Sequence, residues 1–481
     1  MLPVTSRKRF HLILGSAIVG FVNKALTFAN KNTMDFIRGT KMTNEGTRQK
    51  LPTLPLHTIW MLSFAFFGVQ MGFSLQSSNL GRLLQTLGAD PHSLGWFFIL
   101  PPAAGLFVQP IIGRLSDKTW NRFGRRMPYL IIGTVVSAIV MFLLPNAGNL
   151  GFKATIALIF GAITIMFMDT SFNMAMQPIK MVVGDTVNEE QKGYAYSVQS
   201  FLANAGSVLA SIFPFALTAM GVANTAKPGV IPDSVAISFY VGAIVLVITT
   251  IIALINVKEY DPETYAKYHG IQEEGPKESV MHLLTHAPSI FWKLAVVQFF
   301  SWVAFQYLWT YGTGAIADTV WHATDAHSAG YQAAGNWFGV LSAVQSIGAV
   351  LWALVLTKVK PAQECFAYGG SLLLGALGFG SILFVHNQWA LLVSFMLIGF
   401  AWSAILAYPF TFLTNALDGK NNGTYLGLFN GAITIPQIVA SVASFGLFPL
   451  LGSSMPHMLL VSAIALIIAA LSAVRLLRGH V

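Results

Sequence analysis

Long apolar stretches recur along most of this sequence, separated by short polar breaks. Each is about 20 residues or longer, the length that an α-helix needs to cross the ~30 Å hydrocarbon core of a bilayer. Such runs are too long for barrel strands and do not alternate in polarity. The pattern predicts an all-α membrane protein with twelve transmembrane helices, at residues 56–80, 93–115, 128–146, 153–182, 194–220, 234–257, 289–315, 332–358, 364–386, 389–416, 422–450 and 455–477.

The composition also indicates a membrane protein. Of the 481 residues, 54% are hydrophobic and only 10% are charged, whereas soluble proteins carry about 25% charged residues. The single cysteine, Cys365, rules out an intramolecular disulfide framework or a cysteine-based metal cluster. The net charge of +9 does not indicate a nucleic-acid partner, because the cations lie in short loops between apolar stretches. We expect a monomer in the lipid bilayer, with no cofactor and no metal.

The positions of lysine and arginine predict the orientation. With an even number of spans, sixteen of these residues after Leu51 fall in the inner loops or the C-terminal segment. Only Arg82, Lys153 and Lys227 fall in the outer loops. Because positive residues are retained on the cytoplasmic side, both termini are predicted to be cytoplasmic. We expect a bacterial inner membrane.

The longest connection between spans, residues 258–288, predicts a division into two halves. We interpret it as a cytoplasmic linker between an N-terminal half, residues 51–257, and a C-terminal half, residues 289–481. Pro178 and Pro409 occupy corresponding places in the two halves, 231 residues apart. Duplicated six-helix halves around a central site are a common plan of secondary transporters.

Residues 1–50 are interpreted as a cytoplasmic N-terminal segment. Within it, residues 10–29 form an apolar run that two polar residues interrupt. The run could be a signal-like segment, a thirteenth helix, or translated sequence upstream of the true start. We favour the last interpretation, with Met34 or Met42 as the first native residue.

One ionisable side chain, Asp169, lies well inside a predicted span, whereas almost every other charge is in a loop or at a span end. A charge at membrane depth is costly and usually functional. A lone carboxylate is a natural proton acceptor, whereas sodium needs several oxygen ligands at once. We therefore predict that Asp169 couples transport to a proton. The alternative is a structural aspartate bonded to a neighbouring helix.

Asp169, Asn173 and Gln177 are four residues apart, so they project from one face of a helix. Amides both donate and accept hydrogen bonds, which suits the hydroxyl groups of an uncharged sugar. Aromatic rings could cover the apolar face of a sugar ring. The alternative for each side chain is a helix-packing contact. The predicted substrate-binding set is Gln70, Phe73, Gln76, Gln109, Asn173, Gln177, Gln199, Trp302, Phe305, Trp309, Asn336 and Asn430.

The loop after the second span, residues 113–128, reads GRLSDKTWNRFGRRMP. An acid at the end of one helix and a group of cations before the next can form an ion-pair latch on the inner face. Such a latch stabilises one access state and breaks in the other. The predicted members are Asp117, Arg122, Arg125 and Arg126. The alternative is a plain positive-inside anchor.

This loop resembles the Gly-x-x-x-Asp-Arg-x-Gly-Arg-Arg sequence of the major facilitator superfamily, with four additional residues between Asp117 and Phe123. The longer form resembles that of the sucrose and maltose proton symporters, within the glycoside–pentoside–hexuronide group. Four further stretches resemble the first, second, fourth and eleventh helices of that group, namely residues 68–76, 108–113, 169–178 and 429–438.

The resemblance implies a major facilitator fold in which Asp169 takes the proton. It also implies that Gln70, Gln76, Asn173 and Gln177 lie near the sugar. This sequence departs from the plant members at Lys180, where they carry arginine. That change puts the pairing at the inner gate in question.

We therefore expect proton-coupled symport of an uncharged disaccharide, sucrose or maltose-like, by alternating access. One alternative is a sodium-coupled sugar symporter of melibiose type, and a more distant one is an exporter. We do not expect an enzyme, because the eleven histidines lie mostly in loops and no pair has metal-ligand spacing on a helix. His322 and His327, beside Asp318 and Asp325, are interpreted as part of a solvated loop.

Overall fold

The computed structural model describes residues 50–148, 154–269, 280–356, 358–416 and 422–477. The interpretations of residues 1–49 therefore lie outside the described residues. The described chain forms helices and loops without a β-strand. Its twelve long helices, α1 to α12, are Leu56–Thr86, Leu100–Lys118, Met127–Leu143, Ala154–Thr186, Glu189–Ala219, Asp233–Asn256, Ser289–Trp321, Ala329–Leu356, Glu364–Ser381, Leu391–Ala416, Gly431–Leu450 and Met455–Leu477.

Four short helices accompany these twelve in the described chain. Leu94–Phe98 leads into α2, and Asn422–Phe429 leads into α11. Pro262–His269 and Val280–Thr285 lie in the connection between α6 and α7. Single turns of 3-10 helix occur at Pro91–Ser93, Leu144–Asn146 and Pro361–Gln363.

The prediction of an all-α membrane fold is confirmed. Among the described residues, ten helices are long and apolar enough to cross a membrane. The other two predicted spans, α7 and α9, are helical but less apolar. Helix α7 is rich in tryptophan, tyrosine and glutamine and is largely buried inside the bundle, and α9 contains Glu364 and five glycines.

An exposed apolar stripe on α6 shows which surface suits lipid. Ile244, Ile248, Ile251 and Ile255 follow one face of this helix and are 51%, 50%, 48% and 77% exposed. Soluble proteins rarely leave such a continuous apolar surface open to water. The stripe is therefore suited to contact with acyl chains.

The helices pack into two groups of six. In the first bundle, α1 to α6, the first helix lies against α4, α5 and α6. In the second bundle, α7 to α12, α7 lies against α8, α11 and α12. The two bundles meet where α1 contacts α7, α2 contacts α11, and α5 contacts α8. The exact domain boundaries given above stay a prediction.

Because each bundle has an even number of helices, α1 begins and α12 ends at the end of the molecule that also carries the connection between α6 and α7. We call this end the linker face and the other end the opposite face. Near the opposite face the bundles approach closely at glycines. A side chain at Gly339 of α8 would collide with the backbone carbonyl of Ser211 in α5, and one at Gly95 would collide with that of Ser441 in α11.

Two of the spans are broken within the membrane. The second span is interrupted at Ile99, just before Pro101 and Pro102. Proline has no N–H to donate, so the carbonyl of Phe98 lacks the donor that residue 102 would supply in a continuous helix. The eleventh span is interrupted at Asn430, immediately before Gly431. Irregular backbone at membrane depth is tolerated where it is buried in protein or lines a cavity.

Candidate functional site

Three amides from α1, α2 and α4 meet around Asp169, which is fully buried near the middle of α4. Gln76 of α1 donates a hydrogen bond from Nε2 to Asp169 Oδ1 at 2.8 Å. Asn173, one turn further along α4, donates from Nδ2 to the backbone oxygen of Asp169 at 2.8 Å. Gln109 of α2 in turn donates from Nε2 to Asn173 Oδ1. The four side chains form one continuous polar cluster, which we call the acid–amide cluster.

Two oxygen atoms of this cluster are left without donors. Within the described residues, Asp169 Oδ2 and Gln76 Oε1 are both buried and have no hydrogen-bond partner. The contacts described for Asp169 include no lysine, arginine or histidine. A carboxylate in this setting is not held by an ion pair. Among the described residues, the Asp169 side chain accepts one hydrogen bond, from Gln76.

The polar stripe on α4 becomes accessible towards the linker face. Gln177 is half-buried and faces Gly113 of α2. Lys180 continues the same stripe and is exposed. Towards the opposite face, Asn79 and Arg82 of α1 are only 3% and 1% exposed. The acid–amide cluster is therefore sealed on one side and approached from the other.

Phe73 and Gln70 occupy α1 on the linker side of Gln76. Phe73 is half-buried and makes an edge contact with Phe172 of α4, with ring centroids 6.3 Å apart. Gln70 is also half-buried and lies about 9 Å along the helix from Gln76. Both predicted residues therefore lie on the linker side of the acid–amide cluster, and Phe73 contacts α4 there.

The aromatic residues predicted on α7 form a cluster with a tryptophan that was not predicted as a binding residue. Trp402 of α10 contacts Trp302, Phe305 and Trp309, with ring centroids 5.4, 4.8 and 6.0 Å apart. Trp302 is 6% exposed and its Nε1 donor has no partner among the described residues. Trp309 is only half-buried and packs against the apolar cores of both bundles. This aromatic cluster therefore lies at the boundary between the bundles.

Besides Gln70, Phe73 and Gln177, three more predicted binding residues are not part of either cluster. Gln199 is buried and donates to the backbone oxygen of Ile179 at 3.3 Å, which is a helix-packing contact. Asn430 is half-buried at the break in the eleventh span. Asn336 lies near the opposite face, where its Oδ1 accepts a hydrogen bond from Arg82 at 2.7 Å.

The prediction that Arg82 lies in an outer loop is wrong. Helix α1 continues to Thr86, so Arg82 is inside the helix and is 1% exposed. The apolar run ends at Leu80 because the last two turns of α1 contain Arg82, Gln85 and Thr86. The missed signal was helical spacing, since Ser78, Arg82 and Thr86 are four residues apart and lie on one face.

At the linker face, two of the four predicted gate residues bind an acid that was not predicted. Arg125 Nη2 and Arg126 Nε both donate to Asp185 Oδ2 of α4, at 2.6 and 3.0 Å. Arg126 is 2% exposed and also donates to Ser116 Oγ at 2.6 Å. Arg122 is exposed and lies over the ring of Phe123. The side chain of Asp117 lies outside what the structure describes, so its predicted pairing stays untested.

The beginning of the linker binds this same region. Glu259 accepts hydrogen bonds from the backbone N–H groups of Arg125, Arg126 and Met127, at 2.7 to 2.9 Å. These groups form the N-terminus of α3, which favours a negative charge. Tyr265 donates to Asp185 Oδ1 at 3.3 Å, and its ring lies beneath the guanidinium of Arg125. Sequence spacing carried no signal for these contacts, because their partners are 80 or more residues apart.

Two six-helix bundles, with a buried carboxylate between amides and an approach from one face, define a membrane transporter of the secondary type. The chain belongs to the Major Facilitator Superfamily, whose family model matches residues 62–441. The family predicted from the loop after α2 is thus confirmed. The chain is a multi-pass membrane protein.

Curated relatives cover most of the chain at low identity. The chain is 25% identical over 432 residues to "Sucrose transport protein SUC4" of Arabidopsis thaliana, covering 78% of this chain and 81% of that protein. It is 24% identical over 462 residues to "Sucrose transport protein SUT2" of Oryza sativa subsp. japonica, covering 81% and 87%. These relatives match the predicted resemblance to the sucrose carriers.

Solved structures share the fold. A bacterial homologue of the human lysosomal transporter Spinster, in an inward-facing and occupied conformation, matches with a TM-score of 0.61 at 12% identity. The match covers 87% of this chain and 96% of that one. The nucleoside transporter NupG matches with a TM-score of 0.63 at 14% identity, covering 87% and 97%. At these identities the likeness shows the fold alone.

Proposed function

We propose that this chain is a proton-coupled symporter of an uncharged disaccharide, sucrose or a maltose-like sugar. It works by alternating access in a bacterial inner membrane, with the linker face and both termini in the cytoplasm. Asp169 takes the proton, and the amides and aromatic rings of the two clusters bind the sugar.

The proton assignment is supported by the two oxygens that lack donors in the acid–amide cluster. When Asp169 is ionised, Gln76 donates one hydrogen bond to it, while Asp169 Oδ2 and Gln76 Oε1 stay buried without a donor. Burying two acceptors without donors is unfavourable. A proton on Oδ2 adds a donor at this place, and a neutral carboxyl group can exchange two hydrogen bonds with an amide. Sodium would need more oxygen ligands than these two atoms.

The sugar assignment is supported by the chemistry of the groups that surround the approach to Asp169. Gln70, Gln109 and Gln177 are half-buried amides, which can donate to and accept from hydroxyl groups. Trp309 offers a half-buried apolar face, and the unpartnered Nε1 of Trp302 is an additional donor. The relatives described above are named as sucrose transport proteins.

Uptake into proteoliposomes tests the proposal. The purified chain is reconstituted, and uptake of radiolabelled sucrose and maltose is measured with a proton gradient or a sodium gradient imposed separately. A proton gradient equivalent to 100 mV supplies about 2.3 kcal/mol per proton, enough for roughly fiftyfold accumulation with one proton per sugar. We expect accumulation with the proton gradient and none with the sodium gradient at fixed pH.

Three outcomes would contradict this proposal in different ways. Accumulation that follows only the sodium gradient would support a carrier of melibiose type. Accumulation of neither sugar, together with transport of hydrophobic cations, would support an exporter. Sugar that only equilibrates across the membrane, with no accumulation under either ion gradient, would support the proposed substrate but contradict proton coupling.

A further inference from the structure

A buried arginine joins the two bundles at the opposite face. The Nε of Arg82 donates to Gln332 Oε1 at 2.6 Å, and its Nη1 donates to Asn336 Oδ1 at 2.7 Å. Both acceptors are on α8, in the second bundle, whereas Arg82 is on α1. Its Nη2 donates to Asn224 Oδ1, in the loop before α6, at 2.7 Å.

Further contacts fix the orientation of these amides. Gln332 Nε2 donates to Thr86 Oγ1 at 3.0 Å, and Asn336 Nδ2 donates to Thr218 Oγ1 at 2.8 Å. Asn224 Oδ1 also accepts from Ser234 Oγ at 2.7 Å. All three amide oxygens are therefore directed at one guanidinium group.

The acceptors of Arg82 are uncharged, and this has a consequence for opening. Separating an arginine from a carboxylate would leave two unpaired charges, each costly to bury. Separating it from Gln332 and Asn336 leaves only neutral amides on α8. Asn224 belongs to the first bundle and moves with α1, so Arg82 keeps one acceptor when the bundles part.

We propose that Arg82, with Gln332 and Asn336, is a releasable lock that holds the opposite face closed, and that Asn224 retains the arginine when the lock opens. The lock rests on the alternating access proposed above. Its acceptors are uncharged amides, which do not titrate. Replacing one neutral acceptor by a carboxylate would convert the releasable lock into a permanent one.

Cysteine labelling of the purified chain measures this lock directly. Cys365 is the single cysteine of the sequence, so Cys365→Ser gives a clean background for a reporter at Ser78→Cys. Ser78 lies one turn from Arg82 on the same face of α1 and is 6% exposed. The rate of its reaction with a fluorescent maleimide reports opening at this face.

The variants have opposite expected effects. Arg82→Gln removes the charge and three of the roughly five N–H donors. It should raise the labelling rate about tenfold, because the closed population loses several charge-assisted hydrogen bonds. Asn336→Asp should lower the rate below that of the parent, since the hydroxyl of Thr218 can turn to donate to the new carboxylate. Arg475→Gln, which removes an exposed arginine at the linker end of α12, should leave the rate unchanged.

Labelling needs neither sugar nor an ion gradient, so it is independent of the proposed substrate and coupling ion. An unchanged rate in monodisperse Arg82→Gln, or a raised rate in Asn336→Asp, would overturn the lock. If Arg82→Gln does not give monodisperse protein, Gln332→Met removes one acceptor instead and should also raise the rate. Absence of an increase in that variant would likewise overturn it.

Discussion

Charged side chains in the membrane interior and at the linker face are stabilised in different ways. In the interior, Asp169 and Arg82 are buried and their described hydrogen bonds are all to amides. At the linker face, Arg125 and Arg126 pair with the carboxylate of Asp185 inside the first bundle. An opposite charge fixes both partners, whereas an amide leaves the charged group free to change partner or protonation state. We interpret the interior charges as groups that change partner or protonation state during transport, and the linker-face charges as groups that keep their partners.

Removing the acid of the interior should have the largest effect. Asp169→Asn keeps the size of the side chain but cannot exchange a proton near neutral pH. We expect uphill accumulation in proteoliposomes to be lost, a decrease of roughly fiftyfold. Sugar counterflow, which needs no net proton movement, should persist.

The matched control is Asp233→Asn, which removes an exposed acid at the start of α6. It should accumulate sugar as the wild type does. Wild-type accumulation in Asp169→Asn would show that this buried acid is structural, and the contrast between the interior and the linker face would lose its functional meaning.

Removing the acid at the linker face should affect stability rather than coupling. Asp185→Asn removes the carboxylate that Arg125 and Arg126 share, and Arg126 is 2% exposed. We expect the free energy of unfolding to fall by about 1–3 kcal/mol, measured by thermal unfolding in detergent. The remaining folded protein should still couple sugar to protons.

Arg122→Gln is the control for this prediction, because Arg122 is exposed. Its effect on stability should stay within about 0.5 kcal/mol. A transport defect in Asp185→Asn without loss of stability would instead make the Asp185 ion pairs part of the gating machinery.

The smallest effect is expected at Glu259. Burial raises the pKa of this carboxyl group above its ordinary value of 4.5, partly offset by the hydrogen bonds from the backbone of Arg126, Arg125 and Met127. A raised pKa means that the folded state binds the proton more tightly than the unfolded state. This stabilisation is fully present below about pH 4.5 and is lost as the pH rises through the folded pKa.

Glu259→Gln cannot titrate, so it should remove this component of the pH dependence. It keeps one amide oxygen for the N-terminus of α3, and its cost should therefore be at most about 1 kcal/mol, the usual value of a helix cap. Thermal unfolding of both proteins across pH 4 to 7 compares the two slopes. Parallel curves would show that Glu259 does not titrate differently in the folded protein.

The sequence was sufficient for features that depend on local periodicity. Each predicted span overlaps a long helix because membrane thickness sets a minimum helix length, although α1 continues to Thr86, beyond its predicted end at residue 80. The shared face of Asp169 and Asn173 also follows from spacing alone, and the structure connects both to the predicted Gln76 and Gln109. These features require no knowledge of which helices are neighbours.

Contacts between distant helices could not be predicted in this way. Asp185 and Glu259 meet the loop before α3 only after α4 and the linker pack beside it. Asn336 has the same side chain as Asn173, but α8 carries it to Arg82 rather than to the acid. Amides are versatile enough that their residue type does not identify their partner.

The break before α2 has a consequence for how the opposite face can open. Pro102 has no N–H, so the carbonyl of Phe98 accepts instead from Gln306 of α7, at 2.9 Å, across the boundary between the bundles. When the bundles part, that carbonyl loses its donor, and an unpaired carbonyl at membrane depth costs several kcal/mol. Water must then enter and solvate it. Opening in this way therefore requires water to reach the Phe98 carbonyl, and separation of the bundles without that hydration would be unfavourable.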